Sequence, residues 1–521
     1  MWGWRSSRTP VVGLAAALFA VSGVVPLASF LMTSLRGATA VFALDARQWG
    51  LLVNTAGLGV GTAVLATAIG APLGLLFARA SLPHKALLRV ALAAPLLLPP
   101  YVVALAWTYL GSSRGLLATV AGYDALAAWT YSLPAAVLVL GLVTYPLSML
   151  ATEVALRRID GRLEEAGLMV AAPRGVFWRI TVPLVAPGIM AAALVIFVLA
   201  VSEFGVPGVL RVRVYTTEIF TAFAALYDPE RAALLALPLL ALCLVVAAMA
   251  AALLGDRFVS ARRGAATPGA LRIKRSHSLL ASIGLVLVTA LALPIAVLVR
   301  EALSSRSIAA VIGGSGEAIA NSVRLATLGA SAVVGIAMWL GYARARTTSR
   351  AGRLADIGLV VLFAVPGTLL GVGLIGVWNR PGPLGAVYGT DGMLVLAYLA
   401  RLLPVAVLAL AASSRTVPMS HEEAAAVSGA GWLRTMWRIV IPQMRLGLIA
   451  AWLIAFVLAF GELGVSILVA PPGETTLPIR IYTLVANAPS SSVAVLALLQ
   501  AGIILGPLAA LGAILAHREL S

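Results

Sequence analysis

Two pairs of carboxylate-bearing segments recur along this sequence, and their residues define the chemistry open to it. Glu203 and Glu462 sit in matching decapeptides, 197–206 and 456–465, that share seven of ten residues at an offset of 259. Each carboxylate lies near the end of a long apolar run. A carboxylate held at the centre of a bilayer costs about 2.5–3.5 kcal/mol, and less near the interface. A matched pair there is a candidate for attracting a cation, the alternative being two helix-end carboxylates bonded to neighbouring loops. The second pair of segments, 164–183 and 423–442, is mixed in charge and rich in Glu and Ala. Catalytic and metal chemistry find little support. His84, His277, His421 and His517 are scattered, and Cys243 is the single cysteine, so no His/Cys metal centre can be drawn. A phosphate-cradling loop needs Gly-Lys followed by Ser or Thr. Lys85 and Lys274 are followed by Ala86 and Arg275.

The elements that carry these segments follow from composition. Of 521 residues, 61% are hydrophobic and 11% charged, with a mean hydropathy of +1.02. Soluble domains are about 45–50% apolar and about 25% charged, so a soluble or disordered chain is excluded. Runs long enough to cross about 30 Å of hydrocarbon fall near 11–33, 51–77, 87–111, 132–150, 186–206 and 232–254. A second set falls near 278–299, 322–342, 356–378, 392–413, 446–470 and 491–516. The expected fold is all-α: a polytopic membrane protein of about twelve helices in two tandem six-helix units, 1–254 and 278–521, joined by a basic linker, 255–277. The first run exceeds the usual 7–15-residue core of a signal peptide and reads as a span. The net charge of +17 sits in short loops, where it sets topology rather than binding nucleic acid. Basic residues are more than twice as frequent in one alternate set of loops, which places both termini and the segments 151–183 and 414–445 in the cytoplasm.

Self-similarity extends beyond the decapeptides. The offset of 259 also carries Trp178-Arg179-Ile180 onto Trp437-Arg438-Ile439, Pro183 onto Pro442, Gly188 onto Gly447, and Thr216-Thr217 onto Thr475-Thr476. Ala78-Arg79-Ala80 parallels Ala343-Arg344-Ala345 at another offset. Six spans per half give both halves one orientation, with a pathway expected between them. Pro95, Pro99, Pro100 and Pro366 interrupt the third span of each half, as kinks or as breaks that line a site. Arg401 lies within the tenth run, where the first half has Leu142. It could line the pathway, or bond carbonyls of a neighbouring helix.

In the second half, Glu423-Ala424-Ala425 is followed by Gly429, six residues after the Glu, and by Ile439-Val440-Ile441-Pro442. Glu and Ala favour a short helix, Gly429 permits a sharp turn, and Pro442 reads as a break before the next span. In the first half, counting back from Pro183 sets Glu164 against Glu423 and Val170 against Gly429. Anchoring Glu165-Ala166 instead sets Ala171 there and implies a one-residue deletion. Either way the turn glycine is missing.

This spacing resembles the EAA loop of ABC-importer permeases. Over nearly the whole chain the architecture resembles fused ferric-iron-type permeases of the type I importer fold, with thiamine-type permeases also similar. The segments carrying that resemblance include 203–207, 365–371 and 479–482. It implies a bacterial inner-membrane subunit that passes substrate, ferric iron before thiamine, polyamine or phosphonate, to the cytoplasm by alternating access. It implies two copies of a separate ATPase docked on loops containing Glu164, Glu165, Ala166, Pro183, Glu423, Ala424, Ala425, Gly429 and Pro442. It implies an extracytoplasmic binding protein as a further partner. No cofactor is expected on this chain, since ATP and Mg are used by the ATPase. Glu203, Glu462, Arg401, Pro100 and Pro366 are the candidate pathway residues. The competing classes are an ion-coupled secondary transporter, which fits twelve spans but not the duplicated loop, and a membrane-embedded enzyme, for which convergent catalytic side chains are missing.

Overall fold

The computed structural model of the chain describes residues 2–37, 45–111, 123–259, 277–347 and 350–520. The part of the expected linker at 260–276 lies outside them. Every regular element among the described residues is helical, as a bilayer demands of any chain that must satisfy its own backbone hydrogen bonds.

Eight helices are long and apolar enough to cross a membrane. They are α1 (Pro10–Met32), α2 (Ala46–Arg79), α5 (Leu133–Arg157), α7 (Pro173–Ser202), α8 (Pro229–Met249), α9 (His277–Leu303), α10 (Gly316–Ala345) and α13 (Asp391–Arg415). Three bent pairs bring the spans to as many as eleven. These are α3 with α4 (Lys85–Leu97, Pro100–Leu110), α11 with α12 (Leu354–Ala364, Gly367–Trp378) and α15 with α16 (Trp432–Gln443, Arg445–Gly461). The last expected span coincides with α17 (Ser490–Leu520), whose stretch Ser490–Gly506 is a shorter apolar helix. Two short helices precede the fifth spans: α6 (Gly161–Leu168) and α14 (Met419–Val427).

The packing resolves into two compact units, each drawing on both halves of the repeat. One is built on Ser315–Arg480 and takes in α1 and Glu218–Leu240; the other runs from α2 to Thr217 and takes in Ala241–Gly314 and the chain from Ile481 on. In the first of these units α10 packs on α13 and α16, and α1 lies against α10 and α12. In the second, α2 packs on α5 and α7, and the last turns of α9 pack on α17. Within lipid, helices gain little by hiding apolar surface from one another, so close approach at small residues holds them together. A Cβ on Gly70 or Gly74 of α2 would lie 2.3 or 2.4 Å from the carbonyl oxygens of Tyr145 and Met149 on α5. Gly341 of α10 makes the same kind of approach to α13, 3.0 Å from the Val407 carbonyl oxygen.

Proline accounts for two of the three bends. Pro99 and Pro100 separate α3 from α4 at 88°, and Val365-Pro366 separate α11 from α12 at 97°. A residue before proline is pushed out of the helical region, and proline itself has no N–H to continue the ladder. Pro183, the counterpart of Pro442 at the 259 offset, does not break its helix. It lies inside α7, which runs unbroken from Pro173 to Ser202. A π-helical turn, Phe177–Thr181, directly precedes Val182-Pro183 and changes the hydrogen-bond register where the ring would otherwise crowd the preceding turn. The same π turn recurs at Met436–Val440, again 259 residues later. There the helix does bend, by 74°, but at Met444, two residues beyond Pro442.

Candidate functional site

The repeated loop forms one short helix in each half, α6 and α14, followed in the first by the start of α7 and in the second by the short α15. In the first, Asp160 caps α6 by accepting from the backbone N–H of Arg162. In the second, α14 ends in a turn that depends on Gly429, whose φ is +77°. The Ala430 N–H donates to the Ala425 carbonyl and the Gly429 N–H to that of Ala426. This is the Schellman pattern, with glycine at the left-handed position. The first half closes its turn without a left-handed residue: the Ala171 N–H reaches the Gly167 carbonyl at 2.9 Å.

Adjacent glutamates in each loop divide their tasks. Glu164 is fully buried and accepts from Arg79 at 2.7 Å and from the Thr181 hydroxyl at 2.9 Å. Glu422 is buried likewise; Arg346 grips its Oε1 through Nε and Nη2, and the Tyr342 hydroxyl donates to Oε2 at 2.7 Å. Glu165 and Glu423, one position on, are exposed, as are Ala166 and Ala424. The buried pair therefore aligns Glu164 with Glu422 and Glu165 with Glu423, an offset of 258. That matches the one-residue deletion in the first-half turn and sets Ala171 opposite Gly429. It also corrects the parallel drawn between Arg79 and Arg344: the residue that does the work of Arg79 is Arg346, while Arg344 makes a two-pronged pair with Asp356 at 2.6 Å. Beyond the glutamates each loop presents apolar side chains outward. Met169, Val170 and Val427 are 86%, 87% and 89% exposed, while Trp432 is buried against Trp339 and Tyr342.

Glu203 and Glu462 occupy equivalent ends of α7 and α16. Both are half-buried. Glu203 accepts from the Gly205 N–H at 2.9 Å and Glu462 from the Val465 N–H at 3.0 Å, each closing the turn that follows its helix.

Arg401 is half-buried, and its Nη1 donates to the Val365 carbonyl at 2.7 Å and to that of Phe363 at 3.3 Å. Those carbonyls are freed where α11 breaks before Pro366. A cation at a helix C-terminus also meets the negative end of its dipole. In the first half the Tyr145 hydroxyl, on α5, donates at 2.7 Å to the Leu92 carbonyl inside α3, just ahead of the tighter turn Ala94–Leu97. Arg79, Arg346, Thr181, Tyr342 and Tyr145 carry this site without having been singled out from the sequence. Their signal is weak there, a lone Arg or hydroxyl at the end of an apolar run. Among the described residues no group of three His, Cys, Asp or Glu could hold a metal ion.

Comparison with known proteins gives a consistent result. Residues 333–517 match a family model described as "Binding-protein-dependent transport system inner membrane component". The chain is 36% identical over 182 residues to a putative ABC transporter permease protein, ORF1, of Streptomyces antibioticus, covering 35% of this chain and 75% of that one. It is 24% identical over 450 residues to the Fe(3+)-transport system permease protein FbpB 2 of Haemophilus influenzae, covering 84% of each. It is 35% identical over 147 residues to the molybdenum transport system permease protein ModB of Escherichia coli, covering 27% of this chain and 64% of that one.

Proposed function

Because the chain belongs to the family of inner-membrane components of binding-protein-dependent ABC transport systems, we propose that it is the permease subunit of an ATP-driven importer of ferric iron. The observation that carries the iron assignment is the likeness to a ferric permease over 84% of both chains; the likeness to the molybdenum permease covers 27% of this chain. ATP hydrolysis belongs to a separate subunit, present in two copies. Its docking sites are α6 and α14 with the turns that follow them. Exposed Glu165 and Glu423 and the outward Met169, Val170 and Val427 support that reading, since large apolar side chains in the open mark a covered surface. Glu164, buried in its ion pair, anchors the helix instead of meeting the partner. A loaded binding protein delivers substrate on the opposite side of the membrane, and both termini are cytoplasmic.

For the translocation path we propose Glu203 and Glu462, with the broken third spans at Pro100 and Pro366. Matched positions and half-burial at the ends of α7 and α16 support the carboxylates. Arg401 is assigned to closing the break before Pro366. The test is co-purification with a candidate ABC ATPase, then ATP hydrolysis with iron-loaded or molybdate-loaded binding protein. Association that Glu165→Arg with Glu423→Arg abolishes, and stimulation by the iron-loaded protein, is the expected result. Stimulation by molybdate alone would replace iron with an oxyanion. Absence of any ATPase association would return the chain to ion-coupled transport. Unchanged iron uptake by Glu203→Gln with Glu462→Gln, at normal expression, would remove the two carboxylates from the path.

A further inference from the structure

The loop between the fourth and fifth spans is covalently continuous with both of them: α5 leads into α6, and α7 follows; α13 leads into α14, and α15 with α16 follows. The second span has no such link. Arg79 lies 85 residues before Glu164, and Arg346 lies 76 before Glu422. We propose that the buried pairs Arg79–Glu164 and Arg346–Glu422 are mechanical joints, which deliver displacement of the loop helix to the second span of each half. This rests on the ABC-importer reading above and assigns positioning residues within it.

Three observations carry the argument. Both pairs are dry: the side chains are 5% and 0% exposed in the first half, 7% and 8% in the second. Water and salt therefore screen them little. The second is also directional. Arg346 holds Glu422 by two nitrogens and also donates to the Val417 carbonyl just ahead of α14, while Tyr342 fixes the other carboxylate oxygen. With the guanidinium on Oε1 and the Tyr342 hydroxyl on Oε2, both carboxylate oxygens are held, which fixes orientation as well as distance. An apolar pair would hold α14 against α10 at least as firmly but could slide, which is why buried ions are weak evidence for stability alone. Finally, neighbouring residues on a helix point about 100° apart, so the carboxylate facing the second span and the exposed Glu165 or Glu423 share one rigid segment.

The halves differ in reach. Thr181 of α7 also donates to Glu164, so the first joint gathers the second and fifth spans together. The second joint holds α10 through Arg346 and Tyr342, and the chain beyond α15 bends at Met444. The Arg346–Glu422 joint should therefore be the more sensitive of the two, because the path into the fifth span is hinged.

The test uses the reconstituted complex with its ATPase. A spin label at Leu328→Cys, on α10 and half-exposed, reports movement of the second span on ATP binding. The variants are Arg346→Met, Tyr342→Phe and the exchanged pair Arg346→Glu with Glu422→Arg. The expected result is normal ATPase binding by Arg346→Met, with the ATP-dependent spectral change and the substrate uptake per ATP each reduced about tenfold. The exchanged pair should restore most of both. A wild-type spectral change in Arg346→Met overturns the proposal, as does an exchanged pair that binds ATPase normally without recovery. Where Arg346→Met fails to assemble, Tyr342→Phe decides. It keeps the ion pair and frees one oxygen, so a partial loss supports the joint and an unaltered spectral change overturns it. Failure of the unsubstituted protein to bind any ATPase is separate: it overturns the importer reading, and the joint falls with it.

Discussion

Removing one member of the Arg346–Glu422 pair should cost far more than removing both. Glu422 is buried under α10 with Arg346 and Tyr342 around it. Glu422→Ala leaves a guanidinium without its anion in a site 7% exposed. Breaking a buried pair this way costs about 3–5 kcal/mol. Arg346→Met with Glu422→Leu removes both charges and the cost of dehydrating them. Such replacements run from neutral to a few kcal/mol stabilising. The Tyr342 hydroxyl loses its acceptor in that variant and takes back about 1 kcal/mol. The double variant should therefore unfold within about 2 kcal/mol of the parent. For a cooperative unit of 150–250 residues, 1 kcal/mol moves Tm by about 2–4 °C. The single variant should melt roughly 6–20 °C lower and the double nearly as the parent, read by thermal unfolding of the purified protein in detergent. The first half provides an internal comparison. Arg79 Nε is buried without a partner, a standing cost of about 1–3 kcal/mol. Arg79→Met with Glu164→Leu should thus gain more than its counterpart. A Glu422→Ala variant that lost less than 1 kcal/mol would refute the reasoning, because it would mean the pair is effectively in water.

Gly429→Ala meets no steric neighbour but forces a Cβ into the left-handed region; it should cost about 1–2 kcal/mol and weaken ATPase association in the co-purification assay, whereas Ala171→Gly should not strengthen it. Tyr145→Phe removes the hydroxyl that donates to the Leu92 carbonyl inside α3 and should lower unfolding stability by about 0.5–1.5 kcal/mol. Glu474 holds its proton above the usual carboxylate range, because Asp391 first shares a hydrogen bond with it and then repels its charge; burial and Glu317 act the same way, and Arg324 opposes them. Its folded form binds the proton more tightly than the unfolded chain, so its contribution is complete below the ordinary Glu pKa and is lost as pH rises through the raised one; Glu474→Gln should flatten Tm against pH in that window. Cys243 is buried and should resist a membrane-impermeant maleimide, so exposed Ser304→Cys should label in intact cells and exposed Ser428→Cys only after lysis, the reverse pattern excluding cytoplasmic termini.

The spans were legible because a bilayer imposes one length on every apolar run. Their ends were less so. The fifth span of the first half begins at Pro173 rather than near 186, since Pro183 reads as a stop while the π turn that absorbs it leaves no trace in composition. The adjacent glutamates show a second limit. Glu164-Glu165 and Glu422-Glu423 are chemically alike within each pair, and what divides them is an arginine 85 or 76 residues away. Local spacing cannot select which carboxylate meets it; the contacts of Arg79 with Glu164 and of Arg346 with Glu422 do. Arg401 was visible as a charge in an apolar run. Its two acceptors belong to a backbone break on another element, so its task was not.

Comparing the halves shows what duplication has kept. The break in the third span is retained, while Arg401, which donates to the carbonyl before it in the second half, has Leu142 in its place in the first. The buried carboxylate is retained, while its hydroxyl partner is Thr181 in one half and Tyr342 in the other. The turn after the loop helix is retained, with a left-handed glycine in one half and one residue fewer in the other. In each case the feature is common to both halves, while part of its immediate surroundings differs. A break, a buried anion and a helix end are costly wherever they occur in a membrane protein. Their persistence through divergence of the residues around them argues that the halves were selected for those three features.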